Sequence, residues 1–134
     1  ATSIHDARAM LAASGADGVM IGRGAYGRPW WPGVIANLLD PGSGIEEPTL
    51  QAEMEIVIGH HEQTLANYGA DLGNRTARKH LGWSIMRLEK RGQLAARSAM
   101  AWRSRILTSR DNGFVARSII ELYNSLESPM VEAA

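Results

Sequence analysis

A single short segment of this chain, Val19-Met20-Ile21, has the pattern of a β-strand. It is a continuous apolar run bounded by glycines, which is typical of a buried strand in a parallel sheet. One strand has no neighbour for its backbone hydrogen bonds, so it cannot form a sheet alone. Residues 1–40 therefore lack the partners that this pattern requires.

Helix signals lie on both sides of the predicted strand. An S-x-x-D capping pattern at residues 3–6 predicts a helix that ends at Gly15. Pro29 stands at a first helical position, and a second helix is expected over residues 30–39. Residues 1–40 thus predict helix, strand, loop and helix, the end of an α/β architecture. The start at Ala1, directly before a helix signal, indicates a fragment of a longer chain.

Four further helices are expected after a linker at residues 41–48. Apolar residues recur at helical spacing over residues 49–68, about 74–91, 94–107 and 111–126. Glycines stand at several of the predicted ends. Short loops between helices of this length predict a small four-helix bundle over residues 49–134.

The formal net charge of zero hides a strong asymmetry along the chain. Fourteen Lys and Arg balance fourteen Asp and Glu, yet residues 40–74 hold seven acids and no base. Residues 75–110 hold ten bases and only Glu89 as an acid. Eight of the ten are arginines, whose planar guanidinium suits phosphate. The asymmetry favours a polyanionic partner, the alternative being a solvated helix face neutralised by the acidic segment.

The sharpest basic cluster is predicted on the second of the four helices. Arg75, Arg78 and Lys79 stand at i, i+3 and i+4, so they share one helix face. The helix N-terminus adds positive potential at that end. The residues expected to contact phosphate are Arg75, Arg78, Lys79, Arg87, Lys90 and Arg91. Trp30, Trp31, Trp83 and Trp102 could stack on bases, although helical spacing favours packing for them.

The glycine-rich run from Gly22 to Gly27 formally fits G-x-G-x-x-G between a strand and a helix. A dinucleotide-binding unit also needs a second strand that ends in an acid, and no strand precedes Asp40. The run therefore indicates a more general anion site, most naturally for a phosphate. The alternative is a tight turn that needs glycine for packing alone.

Several classes of site are disfavoured by the sequence. The absence of cysteine excludes disulfides, thiolate metal sites and thiol catalysis within these residues. His60 and His61 are neighbours that point about 100° apart on a helix, so no metal site is expected. No membrane-spanning segment or export signal is visible, so a cytoplasmic protein is expected.

Two stretches of the chain resemble one enzyme family. Residues 15–25 (GADGVMIGRGA) with Arg28-Pro29-Trp30 are similar to the last barrel strand and loop of the flavin-dependent tRNA-dihydrouridine synthases. Arg75 and the run Arg78-Lys79-His80-Leu81-Gly82-Trp83 resemble the opening helix of that family's tRNA-binding domain. One departure is Ser84, where many relatives have an aromatic residue.

The resemblance implies a mainly α chain: the last β/α unit of a (β/α)8 TIM barrel at residues 1–40, followed by the four-helix tRNA-binding domain. It implies FMN as cofactor, with Gly22, Arg23 and Gly24 at the FMN phosphate, and NADPH as reductant. The family's catalytic cysteine is expected outside these residues, so no catalytic residue is assigned. The chain alone is expected to be inactive and to bind FMN weakly at most.

Two other interpretations remain open from the sequence. The basic strip at residues 75–110 could belong to a regulatory or DNA-binding helical protein, although no helix pair has a convincing helix-turn-helix pattern. Residues 1–40 without a barrel would expose Val19, Met20, Ile21, Trp30 and Trp31. A homo-oligomer formed through that apolar surface is therefore a further expectation.

Overall fold

The computed structural model describes residues 1–127. The chain divides into two compact units, one of residues 1–48 and one that begins at Thr49. The last residues of the helical domain expected over 49–134 lie outside the described range. Within that range no helix is long and apolar enough to cross a membrane.

The first unit contains two α-helices and one 3-10 turn. Helix α1 spans Ile4–Ser14, the 3-10 turn spans Arg23–Ala25, and α2 spans Trp31–Leu39. The hydroxyl of Ser3 accepts a hydrogen bond from the Asp6 amide at 3.0 Å, as the capping pattern predicts. Gly15 ends α1 at φ 66°, a left-handed conformation that glycine adopts readily.

The expected strand at Val19-Met20-Ile21 is wrong for the described structure, which contains helices but no strand in residues 1–127. The Met20 side chain is 79% exposed. An extended segment becomes a strand only when neighbouring backbone accepts its hydrogen bonds, and the first unit has no such neighbour. The apolar pattern favours burial, but the first unit does not bury Met20.

The expected exposure of both tryptophans in the first unit is also wrong. Trp30 and Trp31 are 5% and 9% exposed. The Trp30 indole donates to the Glu47 carboxylate at 3.0 Å, and the Arg28 guanidinium lies 3.7 Å from the Trp31 ring centroid. Of the five residues expected to form an exposed apolar surface, these two tryptophans are therefore buried, whereas Met20 is exposed.

The second unit contains four helices. Helix α3 spans Leu50–Tyr68, α4 spans Ala70–Lys90, α5 spans Ala96–Leu107, and α6 spans Asn112–Glu127. Helix α4 begins about one turn earlier than the sequence predicts. Gly69, at φ 83°, ends α3 and precedes α4 directly, so one residue forms the whole corner.

The four helices pack around one apolar core. Its buried members include Val57 on α3, Leu81 and Leu88 on α4, Ile106 on α5 and Ile119 on α6. Helix α3 packs on α4 and α6, and α5 packs on the same two helices. A Cβ at Gly73 would lie 2.8 Å from the Leu65 Cα, so glycine is required where α4 approaches α3 closely.

A buried carboxylate connects three helices of this unit. Glu53 on α3 is 1% exposed and accepts hydrogen bonds from Arg91 Nη2 at 3.0 and 3.2 Å. It also accepts the Tyr123 hydroxyl of α6 at 3.0 Å. Burial, followed by the Glu53 charge, raises the pKa of Tyr123, so the phenol stays protonated and donates.

Candidate nucleic-acid interface

The exposed side of α4 displays a cluster of cations. Helix α4 buries Ala77, Leu81 and Ile85 against the core, which turns the opposite side to solvent. Arg75, Arg78 and Lys79 lie within an arc of about 100°, with Arg75 and Lys79 directed away from the core and Arg78 at its edge. Arg75 and Lys79 are exposed, and Arg78 is half-buried. The structure thus brings these three predicted residues together.

Three arginines surround a small cleft at the N-terminal end of this surface. The cleft has a volume of about 140 Å³ and is lined by Arg75, Arg78, Arg110 and Asp71. Asp71 pairs with Arg75 at 3.5 Å across two exposed side chains. Because three guanidinium groups outweigh one carboxylate, the cleft suits an anion of phosphate size. We call it the arginine cleft.

A buried asparagine fixes the geometry of the arginine cleft. Asn74, which is 5% exposed, accepts a hydrogen bond from Arg78 Nη2 at 3.0 Å through its Oδ1. Its Nδ2 donates to Asn112 Oδ1 at 2.7 Å and to the Ser109 carbonyl at 3.2 Å. Asn112 in turn donates to the Ala70 carbonyl at 3.1 Å. Asn74 therefore holds Arg78 and the loop that includes Arg110 on the same side of the unit.

Replacing this residue is expected to affect both stability and binding. Asn74→Ala removes three hydrogen bonds from a buried site, so we expect a loss of about 2 kcal/mol in unfolding free energy. Nucleic-acid affinity should fall by about fivefold as the Arg78 guanidinium loses its fixed position. Urea denaturation and a binding titration measure the two effects. Asn67→Ala, on the exposed surface of α3, is the matched control. If the two variants have equal stability and equal affinity, Asn74 does not hold the arginine cleft in place.

A larger groove adjoins the arginine cleft and shares Arg78 with it. It has a volume of about 380 Å³ and lies between α4 and α5, lined by Arg78, Lys79, Trp83, Met86, Arg103 and Leu107. Arg103 Nη1 donates to the Gly82 carbonyl at 3.0 Å, which holds the guanidinium across α4. We call this the Trp83 groove.

The remaining predicted phosphate contacts lie in the last turn of α4 and directly after it. Arg91 is turned about 160° from Arg75 around the helix, and its guanidinium pairs with the buried Glu53. Arg87 is half-buried, and Lys90 is exposed in the last turn. Of these three, Lys90 alone has an exposed side chain on the same side as Lys79.

Two arginines outside the predicted set complete the basic surface. Arg103 comes from α5 and Arg110 from the loop before α6, and both are exposed. The sequence places them in the basic segment, but spacing along one helix cannot show which residues of another helix lie beside it. Arg105, two positions from Arg103, instead pairs with Glu121 of α6 at 2.7 Å. We call Arg75, Arg78, Lys79, Arg103 and Arg110 the basic face.

Three histidines lie on the adjacent helices α3 and α4. His80 contacts His60 edge to face, with ring centroids 4.7 Å apart, and contacts the Trp83 ring at 5.2 Å. Burial, with smaller effects of His60 and Lys79, lowers the pKa of His80. His61 is 2% exposed, and burial lowers its pKa as well, against a smaller opposing effect of Glu62. Both imidazoles are therefore favoured in their neutral form.

These lowered pKa values predict a loss of stability in mild acid. A histidine whose pKa is lower in the folded state stabilises the protein above about pH 6.5 and ceases to do so as the pH falls. We expect the unfolding free energy from urea titration to be lower at about pH 5.5 than at about pH 7.5. His61→Leu should reduce this difference, whereas His5→Gln, in the first unit, should leave it unchanged. An equal or greater stability of the parent chain at the lower pH would contradict the prediction.

The glycine-rich turn of the first unit has a defined conformation. The Ala25 amide bonds to the Gly22 carbonyl at 2.9 Å, and the Tyr26 amide to the Arg23 carbonyl at 3.1 Å. The first N–H groups of such a turn have no partner within it and can meet an anion. Gly22 and Arg23 are exposed there, which fits a phosphate.

Gly24 has a different reason to be glycine. It is buried, and a Cβ there would run into the carbonyl oxygen of Ala1. Arg28 fixes the same region, since its guanidinium donates to the carbonyls of Gly24 and Thr2 at 2.7 Å each. Packing within the first unit thus explains Gly24, and the fit to a phosphate rests on Gly22 and Arg23.

Metal ligands are not grouped in the described part of the chain. Among residues 1–127 no three His, Cys, Asp or Glu side chains lie close enough to hold an ion. The cationic and amphipathic lining of the two neighbouring clefts is instead suited to bind a polyanion.

Comparison with known proteins gives a consistent family. A sequence profile of dihydrouridine synthase (Dus) matches residues 1–108. A probable tRNA-dihydrouridine synthase of Rhizobium leguminosarum bv. phaseoli is 40% identical over 124 residues, which cover 92% of this chain and 34% of the relative. The tRNA-dihydrouridine synthase B of Xanthomonas axonopodis pv. citri is 47% identical over 81 residues, 60% of this chain and 24% of the relative.

A probable tRNA-dihydrouridine synthase of Rickettsia conorii is 43% identical over 82 residues, 61% of this chain and 25% of the relative. The chain spans about a third of the length of the Rhizobium relative and a quarter of the other two. These matches support the resemblance found in the sequence and give no support to a DNA-binding regulator. The profile covers most of the 134 residues, and the chain therefore belongs to the dihydrouridine synthase family.

Proposed function

We propose that this chain forms part of an enzyme that reduces uridines of tRNA to 5,6-dihydrouridine, and that its second unit binds the tRNA. Support comes from the family and from the relatives, which are named tRNA-dihydrouridine synthases. The observation that supports tRNA binding most directly is the basic face. Two helices and a loop place five cationic side chains on one side of the unit.

The geometry of the basic face suits a folded RNA backbone. Phosphate contacts provide most of the affinity of proteins for nucleic acids and fix the orientation of the complex. Arginine can donate two parallel hydrogen bonds to one phosphate, and four of the five side chains are arginines. Arg78 and Arg103 are held in place by hydrogen bonds to Asn74 and to the Gly82 carbonyl. Such preorganised donors lose little conformational entropy when a phosphate binds.

We also propose that residues 1–40 form the last β/α unit of a flavin-binding barrel, in which Gly22 and Arg23 contact the FMN phosphate. The turn is exposed at Gly22 and Arg23, and its first N–H groups have no hydrogen-bond acceptor within the turn, which is compatible with that role. When bound, FMN would supply the hydride for the uracil ring after reduction by NADPH. Gly24 would shape the turn by allowing the close approach of Ala1. We further propose a cytoplasmic location, where tRNA substrates occur.

A competition experiment tests the RNA-binding part of this proposal. Labelled tRNA bound to the chain is displaced with unlabelled tRNA or with duplex DNA at matched salt. We expect tRNA to compete better than DNA, and the affinity for tRNA to fall steeply as salt rises. Equal competition by both nucleic acids, or an affinity that does not change with salt, would contradict the proposal.

A further inference from the structure

We infer that the Trp83 groove binds one unstacked base of the RNA, beside a phosphate held in the arginine cleft. This inference rests on the proposed RNA binding and adds a preference for irregular over continuous duplex RNA. The lining of the groove is the first reason. Trp83, Met86 and Leu107 give it an apolar surface, and Met86 is 38% exposed.

The cationic side chains on both sides of the groove indicate which kind of ligand it binds. Arg78 and Lys79 of α4 lie on one side, and Arg103 of α5 lies on the other. A polypeptide segment would need acidic side chains on both sides of its apolar face to match these cations, whereas every nucleotide has an apolar base next to an anionic phosphate. The groove therefore matches a base with its flanking phosphates.

The ring of Trp83 packs edge to face against the ring of His80. Its plane makes an angle of 89° with the His80 ring, which in turn contacts His60 at 85°. A fixed aromatic ring loses little entropy when a base stacks on it. Met86 has a flexible, polarizable side chain that adapts to irregular shapes.

Continuity with the arginine cleft sets the arrangement of the nucleotide. Arg78 lines both the cleft and the groove, and Asn74 holds its guanidinium. In a continuous A-form duplex the bases are stacked and their faces are covered, so a duplex could use only the arginine cleft. An RNA with an unpaired base could use both sites, and stacking of one base adds about tenfold in affinity.

The experiment compares two RNA duplexes, each made of two annealed strands, that differ by one unpaired nucleotide. One has a continuous stem, and the other has a single bulged 2-aminopurine in the same stem. We expect the chain to bind the bulged RNA about tenfold more tightly and to quench the 2-aminopurine fluorescence. Trp83→Leu should abolish both effects and leave affinity for the continuous stem unchanged, while Trp83→Phe should retain them. Trp102→Leu, on α5, is the matched control, and circular dichroism verifies that each variant is folded.

Each other outcome overturns the inference in a distinguishable way. Equal affinity of the parent chain for both duplexes without quenching excludes the base site, while salt-dependent binding of both leaves the proposed RNA binding intact. Failure to bind either duplex or tRNA overturns both proposals. If sedimentation shows that Trp83→Leu converts a dimer to a monomer without changing RNA binding, a second copy of the chain occupies the groove and the inference is wrong.

Discussion

Replacing Arg78 and Lys79 together by glutamate is expected to weaken tRNA binding on the order of 100-fold at low salt. Arg78 lines both the arginine cleft and the Trp83 groove, so its reversal places a negative charge at the centre of the basic face. Lys79 is exposed beside it. The logarithm of the affinity should also depend less steeply on the logarithm of salt, by about one unit for each phosphate that the variant no longer binds.

The matched control reverses two arginines that lie off the basic face. Arg97 and Arg117 are exposed residues of α5 and α6, and their replacement by glutamate changes the net charge by the same amount. The two double variants therefore differ only in where the reversed charges lie on the surface. If both weaken tRNA binding equally, the effect is one of total charge, and the assignment of the basic face is wrong.

The second large effect is expected from the buried carboxylate. Glu53→Ala should lower the unfolding free energy by about 3 kcal/mol, because it leaves the Arg91 guanidinium and the Tyr123 hydroxyl without their shared acceptor. This value is at the lower end of the range for broken buried pairs, since the Arg91 side chain is 27% exposed and water can reach it. Tyr123→Phe removes only one donor and should cost about 1 kcal/mol.

Urea denaturation of the parent chain, Glu53→Ala and Tyr123→Phe measures these differences in unfolding free energy. Glu55→Ala is the matched control, because Glu55 lies two residues away on the exposed surface of α3. Its replacement should change stability by less than about 0.5 kcal/mol. A Glu53→Ala variant as stable as the Glu55→Ala variant would show that the three-helix connection does not stabilise the fold.

Local chemistry explains which parts of the fold could be predicted from the sequence. The ends of α1 at Ser3 and Gly15 follow from capping rules that depend on a few neighbouring residues. The same holds for Thr49, whose hydroxyl accepts the Ala52 amide at 3.2 Å at the start of α3. The early start of α4 could not be predicted, because it depends on Gly69 serving two helices and on Gly73 allowing their close approach.

The segment at Val19-Met20-Ile21 shows what a local sequence pattern cannot predict. Its composition is typical of a buried strand, but pairing is a property of at least two segments, and the described residues supply no second one. Residues 19–21 would pair as a strand only if further backbone segments lay beside them, as in the barrel that we propose.

Only the part of the candidate site that lies within one helix could be predicted from the sequence. Periodicity within α4 is enough to place Arg75, Arg78 and Lys79 together. It gives no information on Arg103 and Arg110, which reach the same face only because α5 packs on α4 and Asn112 anchors the following corner. Nor does it reveal that Arg91 pairs with Glu53, a contact between residues that are 38 positions apart.

The position of bound tRNA on the second unit tests the account most directly. Backbone amide shifts in an NMR titration of the chain with tRNA would report it residue by residue. We predict that the largest changes occur along α4 from Arg75 to Met86 and at Arg103 and Arg110, with little change around Arg91 and Tyr123. Changes concentrated on the exposed sides of α3 and α6, with the basic face unaffected, would contradict the account.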